Sequence, residues 1–201
     1  DTVEHYTLFL FAGLLPWIWF SSGLLEATAS ISSGGSLITK AMFPPHMLPA
    51  VAVFTNLANF IFAVPLLLGL MLLSGVSPSV GLLFLPVIIL VELIFLIGLG
   101  FAFAALNVHY RDIQHILGNL LTLWFFLTPV IYPASNVPEK VKFTLYLNPV
   151  ALFTQMYQEV VLDGVLPNFN LLFIATVISL FTFVVGNSIF NRYRENFAEL
   201  I

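Results

Sequence analysis

From Leu82 to Leu106 the chain contains a single charged side chain, Glu92. A stretch this long and this apolar must be buried in lipid or inside a large domain. A chain of 201 residues cannot hide several such stretches in one interior, and four more follow the same pattern: roughly 8–30, 48–72, 113–132 and 169–190. Each offers the ~20 residues that a helix needs to cross a hydrocarbon core ~30 Å thick. None alternates at period two as barrel strands do, and an open sheet would leave backbone groups unpaired in lipid. The reading is an all-α, polytopic transmembrane helical bundle with five spans in one transmembrane domain, 1–201. Composition agrees: 8% of residues are charged and 60% hydrophobic, against about 25% charged in soluble domains.

Several chemistries are excluded. With no cysteine there is no disulfide, thiol catalysis or cysteine-ligated metal. The net charge of -4 comes with no basic patch, so nucleic acid is not a partner. His5, His46, His109 and His115 do not have metal-ligand spacing. No nucleophile has a base beside it, and no GxxxxGK[ST] loop is present. The sequence therefore predicts no catalytic residue, no metal, no cofactor bound by this chain and no ATP hydrolysis of its own.

Lys40, Arg111, Arg192 and Arg194 fall on one side of the five spans, and Lys140 and Lys142 on the other. The positive-inside rule puts the first side, with the C-terminus, in the cytoplasm. Asp1 then lies outside. A cytoplasmic N-terminus in the whole protein would need one more crossing upstream, six in all, and the opening at Asp1 is read as lacking that first span.

Two loops carry pattern. In "SSGGSLITKAMFPPH" (32–46), Leu37, Ile38, Ala41 and Met42 share a helical face and Pro44 and Pro45 stop it. This predicts either a short cytoplasmic amphipathic helix or a plain interfacial turn. The segment 134–168 is longer than a connector requires. Pro138 and Pro149 suit first helical turns, Asn136 and Asn148 suit caps, and Gly164 suits a stop. Val150, Phe153, Tyr157, Val160 and Val161 share a face opposite Gln155, Gln158, Glu159 and Asp163. Two short amphipathic helices on the outer side are expected, re-entering the membrane edge or lying on it.

Within the spans, Glu92 sits where a charge costs roughly 2.5–3.5 kcal/mol. It is either a proton or substrate site, or bonded to Asn56, Asn59 or a backbone carbonyl. Glu26 forms a polar stripe with Ser30 and Ser33 that either lines a path or is the wet end of a packed helix. Gly98 with Ala102, and Gly100 with Ala104, suit close helix packing. After Arg111, a stripe of His115, Gly118, Asn119, Thr122, Phe125, Phe126, Pro129 and Tyr132 runs along one helix. It is either an interhelix interface or a wall for an amphiphilic substrate, with aromatic faces for sugar rings and amide or hydroxyl groups for hydrogen bonds. Asn107, Arg111 and Asp112 would anchor that helix at the cytoplasmic end, Asp112 complementing the helix dipole.

The stretches "AGLLPWIWFSSGLLEATASISSGGSLITKAMFPPHMLPA" (12–50), "ALNVHYRDIQHILGNLLTLWFFLTPVIYP" (105–133) and "LNPVALFTQMYQEVVLDG" (147–164) carry a resemblance. In order and spacing the chain resembles the membrane-spanning permease of ABC-2 type, polysaccharide-exporting ABC transporters, which move lipid-linked O-antigen or teichoic acid. The resemblance implies an inner-membrane homodimer working with two copies of a cytoplasmic ATPase that binds ATP and Mg, and an undecaprenyl-diphosphate-linked glycan as substrate. It implies that Ser36, Leu37, Ile38, Lys40, Met42 and Phe43 belong to a coupling helix docked on the ATPase. It implies outer gate helices bearing Pro138, Phe143, Pro149, Phe153 and Tyr157, and a channel lined by Asn119, Thr122, Phe125, Phe126, Pro129 and Tyr132. It also implies a cytoplasmic interfacial helix before the first span. The alternatives are an ABC-2 exporter of a small drug or lipid, a membrane enzyme acting on lipid-linked sugars, and a proton-coupled transporter using Glu92.

Overall fold

The computed structural model describes residues 5–35, 43–110, 112–138, 140 and 143–197. Four helices are long and apolar enough to cross a membrane. They are α1 (Tyr6–Ser33), α2 (Met47–Leu73), α3 (Leu85–His109, entered through a 3-10 turn at Val80–Phe84) and a last helix, Phe169–Tyr193. Between α3 and the last helix lie α4 (Ile113–Leu127), α5 (Phe143–Leu147) and α6 (Pro149–Gln158). The last helix is α7.

The bundle is built around α1, which buries residues on most of its circumference. Helix α2 runs antiparallel along it, with Trp19 stacked on Phe60 at 5.1 Å between ring centroids. Helix α3 runs parallel to it, with Phe20 stacked on Phe95 at 6.0 Å. Helix α7 packs on the far side of α3 through glycines. A Cβ on Gly98 would come within 2.6 Å of the Phe183 backbone, and one on Gly186 would strike the Gly98 carbonyl. Gly100 opposes Ala27 of α1. The small residues read as packing sites thus bring backbones together where no solvent drives helices to associate.

Several hydroxyls inside the spans are satisfied within their own helices, while the buried Ser179 hydroxyl of the last helix has no partner among the described residues. Thr28 donates to the Leu24 carbonyl at 2.7 Å, Ser21 to Trp17 at 2.8 Å and Thr176 to Leu172 at 2.7 Å. Such back-bonding lets a helix carry Ser and Thr through an apolar medium without an external partner.

Helix α4 departs from expectation. A crossing was expected over 113–132, but the helix stops at Leu127 after 15 residues, about 22 Å of rise. Thr128 is extended (φ -101°, ψ 136°) because it precedes Pro129, whose ring disfavours the helical conformation there. The chain goes on through Tyr132 without helix. Tyr6 at the start of α1 donates to the Ile131 carbonyl at 3.2 Å, so this non-helical stretch completes the climb to that end of the bundle, called the upper end below.

Of the two arrangements expected for the next segment, re-entering or lying on the surface, the structure has the re-entering one. Pro138 lies in no helix, Asn136 sits in a 3-10 turn (Ala134–Asn136), and the described first helix is only Phe143–Leu147. Helix α6 is buried nearly all round: Val150 through Thr154 and Met156 through Gln158 are all buried, Gln158 among them although it was expected on a wetted face. It is a re-entrant element. It starts at Asn148 beside the end of α4 and climbs back to Gly164, whose left-handed backbone (φ 62°) ends a π-type turn over Glu159–Asp163.

Candidate functional site

Three features hold the re-entrant helix. At its lower tip, Asn148 caps α6 by accepting from the Val150 and Ala151 N–H groups at 3.1 and 3.3 Å. The same oxygen accepts from Trp124 Nε1 at 2.8 Å. Its amide donates to Thr128 Oγ1 at 3.0 Å and the Leu127 carbonyl at 3.4 Å. Four residues, Trp124, Leu127, Thr128 and Asn148, thus share one knot where α4 breaks. Higher up, Gln158 donates to the Pro129 carbonyl at 3.1 Å. Backbone groups freed by a broken helix at membrane depth need such partners.

Near the upper end of α6, Tyr157 donates its hydroxyl to Glu92 Oε2 at 2.9 Å, and both residues are buried. Glu92 lies seven residues, about 10 Å, below the start of α3. It was expected to meet Asn56, Asn59 or a carbonyl; that is corrected. Asn56 is taken instead by Glu26, donating to Oε2 at 2.6 Å. The partner was missed because Tyr157 lies 65 residues away on a segment that re-enters the bundle. Its place among apolar residues with helical spacing gave no sign of a buried acid opposite.

At the upper surface, Glu159 is half-buried and accepts from the Asn168 N–H at 3.0 Å. Burial pushes its carboxyl above the usual range; the Asn168 bond pulls it down and nearby Asp163 pushes it up. Asp163 is exposed.

The α4 stripe divides. His115, Asn119, Thr122 and Phe126 are exposed along one side of the helix, opposite buried Leu117 and Leu121. Asn119 has no hydrogen-bond partner among the described residues, while Thr122 back-bonds to Gly118 at 3.1 Å. Phe125 is turned inward against Trp17 at 5.5 Å. Pro129 is buried, and Tyr132 is half-buried with its hydroxyl on the Phe126 carbonyl at 3.1 Å. Of six residues expected to line a path, the open face therefore carries Asn119, Thr122 and Phe126. Pro129 supports the break in α4 instead.

At the lower end, Asn107 is buried, accepts from the Gln114 N–H at 3.1 Å and donates to Ser32 at 3.4 Å. It ties the α3–α4 elbow to α1. Asp112 stands exposed at the α4 N-cap position without a capping bond. Arg111 lies outside the described residues, as do Ser36, Leu37, Ile38, Lys40 and Met42. Phe43 is half-buried just before α2, Phe143 is exposed on α5, Pro149 opens α6, and Phe153 packs on Phe95 at 5.9 Å. No group of three or more His, Asp or Glu side chains that could hold a metal occurs among the described residues.

The ABC-2 type transporter family matches residues 2–162. The chain is 40% identical to the O-antigen export system permease protein RfbA of Myxococcus xanthus over 203 residues, covering 100% of this chain and 78% of that protein. Two O-antigen export system permease proteins RfbA of Klebsiella pneumoniae are 30% and 29% identical over 200 residues, each alignment covering 99% of this chain and 77% of the relative.

Proposed function

The chain belongs to the ABC-2 type transporter family, and on that premise we propose that it is the channel-forming permease of a polysaccharide exporter, moving a lipid-linked glycan of the O-antigen kind. A permease of this family is a multi-pass inner-membrane protein and not an enzyme; its energy comes from an ATPase partner. In this reading the partner is a separate cytoplasmic subunit that binds ATP and Mg, two copies serve a permease homodimer, and the glycan rides on undecaprenyl diphosphate. The lower end of the bundle and the C-terminus face the cytoplasm. The loop holding Ser36, Leu37, Ile38, Lys40, Met42 and Phe43 docks on the ATPase.

One observation carries the substrate path: an apolar helix exposes an amide, a hydroxyl, an imidazole and an aromatic ring along a single face, with Asn119 unpaired among the described residues. Facing acyl chains, an unpaired amide is costly. Facing a hydrated glycan, it is a hydrogen-bonding rail beside a ring that can cover a sugar. The buried α6 then sits as a wedge beside the exit, held by Asn148, Gln158 and Tyr157.

The test is export in cells carrying the whole transporter. Asn119→Leu with Phe126→Ala should lower surface polysaccharide about tenfold, the loss of one hydrogen bond and one ring contact, while the permease still co-purifies with its ATPase and stays coupled. Normal glycan export by this double variant, or altered drug sensitivity with unchanged glycan, would refute the path and favour export of a small molecule.

A further inference from the structure

Helix α1 has an open face bounded by two neighbours. On one border Leu25 meets α4 at Gly118, 4.0 Å from where a Cβ there would stand. On the other border Glu26 meets α2 through the bond from Asn56, and the Asn56 Cβ lies 3.6 Å from a Cβ built on Gly23. Between those borders the helix shows Ile18, half-buried Ser22 and exposed Ser33. The α4 wall beside Gly118 is the exposed row of His115, Asn119 and Thr122. Exposed Asn59 stands one turn along α2 from Asn56 and has no hydrogen-bond partner among the described residues.

Glu26 is the outlier on this surface. Among the described residues of the long helices, Glu92 is sealed and Arg192 sits in a last turn; Glu26 is exposed about two turns from the end of α1. One oxygen is held by Asn56, which fixes the rotamer, and the second has no partner among the described residues. A charge left in lipid would be expensive. A carboxylate clamped beside the hydroxyl- and amide-bearing residues Ser22, Asn119 and Thr122 is suited to accept hydrogen bonds from sugar hydroxyls and to repel anions.

Resting on the permease reading above, we propose that Glu26, oriented by Asn56, selects against acidic polymers: the path takes glycans whose repeat units are neutral or carry amines, and disfavours those bearing uronic acids. Between walls of effective dielectric ~20, two like charges 6 Å apart repel enough to disfavour passage by about a hundredfold, and by a few-fold where water fills the gap. Every acidic repeat must pass the same carboxylate, so the discrimination applies along the whole chain.

The experiment uses the full transporter with its ATPase in cells that make one of two lipid-linked polymers, identical except for a uronic acid in each repeat. The readout is surface-exposed over total polymer. Wild type should export the neutral polymer at least tenfold better. Glu26→Gln keeps the acceptor for Asn56 and should raise the acidic-to-neutral export ratio about tenfold; Glu26→Lys should favour the acidic polymer. An unchanged acidic-to-neutral ratio in Glu26→Gln overturns the assignment. Failure of that variant to assemble makes Glu26 a packing residue and also overturns it. If wild type exports neither polymer, the permease reading itself fails and takes this proposal with it.

Discussion

Tyr157→Phe isolates the contact on which the re-entrant helix depends. The change removes one oxygen and leaves the ring, which packs edge-on against Phe60 at 6.0 Å. Glu92 is then left with no donor among the described residues, at a site sealed from solvent. A buried acceptor without a partner costs about 1–3 kcal/mol, while hydrogen bonds between membrane helices average about 0.6 kcal/mol and reach about 1.7. The upper part of the membrane range is appropriate because both groups are buried and Glu92 has nowhere to turn, so about 1–2 kcal/mol is expected. For a protein of this size that lowers Tm by about 2–8 °C. Glu92→Gln keeps an acceptor oxygen for the phenol and should cost less than about 0.5 kcal/mol, and the double variant should be no worse than Tyr157→Phe alone. The assay is thermal unfolding of the purified permease in one detergent, followed by size-exclusion fluorescence. If Tyr157→Phe is neutral, or the two changes add in full, the pair does not hold α6 and the reasoning fails.

Two further outcomes are expected. Asn148→Ala removes a helix cap and strands the Trp124 N–H, so it should cost about 2–4 kcal/mol and change Trp124 emission; Asn148→Asp, which keeps the acceptor, should recover most of the loss, and equal damage by both would contradict the knot at the α4 break. Because burial raises the Glu159 carboxyl above its ordinary value of 4.5 in the folded protein, its contribution is fully present below that value and is lost as pH rises through the raised one. Tm should therefore fall as pH climbs from about 4.5 toward neutrality, and Glu159→Gln should flatten that slope; an unchanged profile in the variant would exclude this group.

How much was legible from sequence can be judged residue by residue. Asn148 as a cap, Pro149 at a helix start and Gly164 as a stop were readable, because capping depends on atoms within a few positions of each other. The small residues at Gly98 and Gly100 were readable as packing sites, though not the helices they meet. Pro129 was visible as a proline but was read as part of a channel wall. Its actual role, ending α4 and leaving a carbonyl for Gln158, requires knowing that a helix some thirty residues later returns to the same depth.

By itself the sequence determined that this chain is a bundle of membrane helices. Length and hydropathy decide whether a segment can leave water, and those are properties of single stretches. Only the tertiary structure decided that 149–158 is buried inside the bundle, that Glu92 belongs to Tyr157 and Glu26 to Asn56, and that Phe125 turns inward while Phe126 stays open. In an apolar medium every polar side chain seeks a partner, and a chain rich in short-range patterns carries little record of which distant group supplies it. That pairing is set by how the helices cross, and so by the close approaches at Gly23, Gly98 and Gly186.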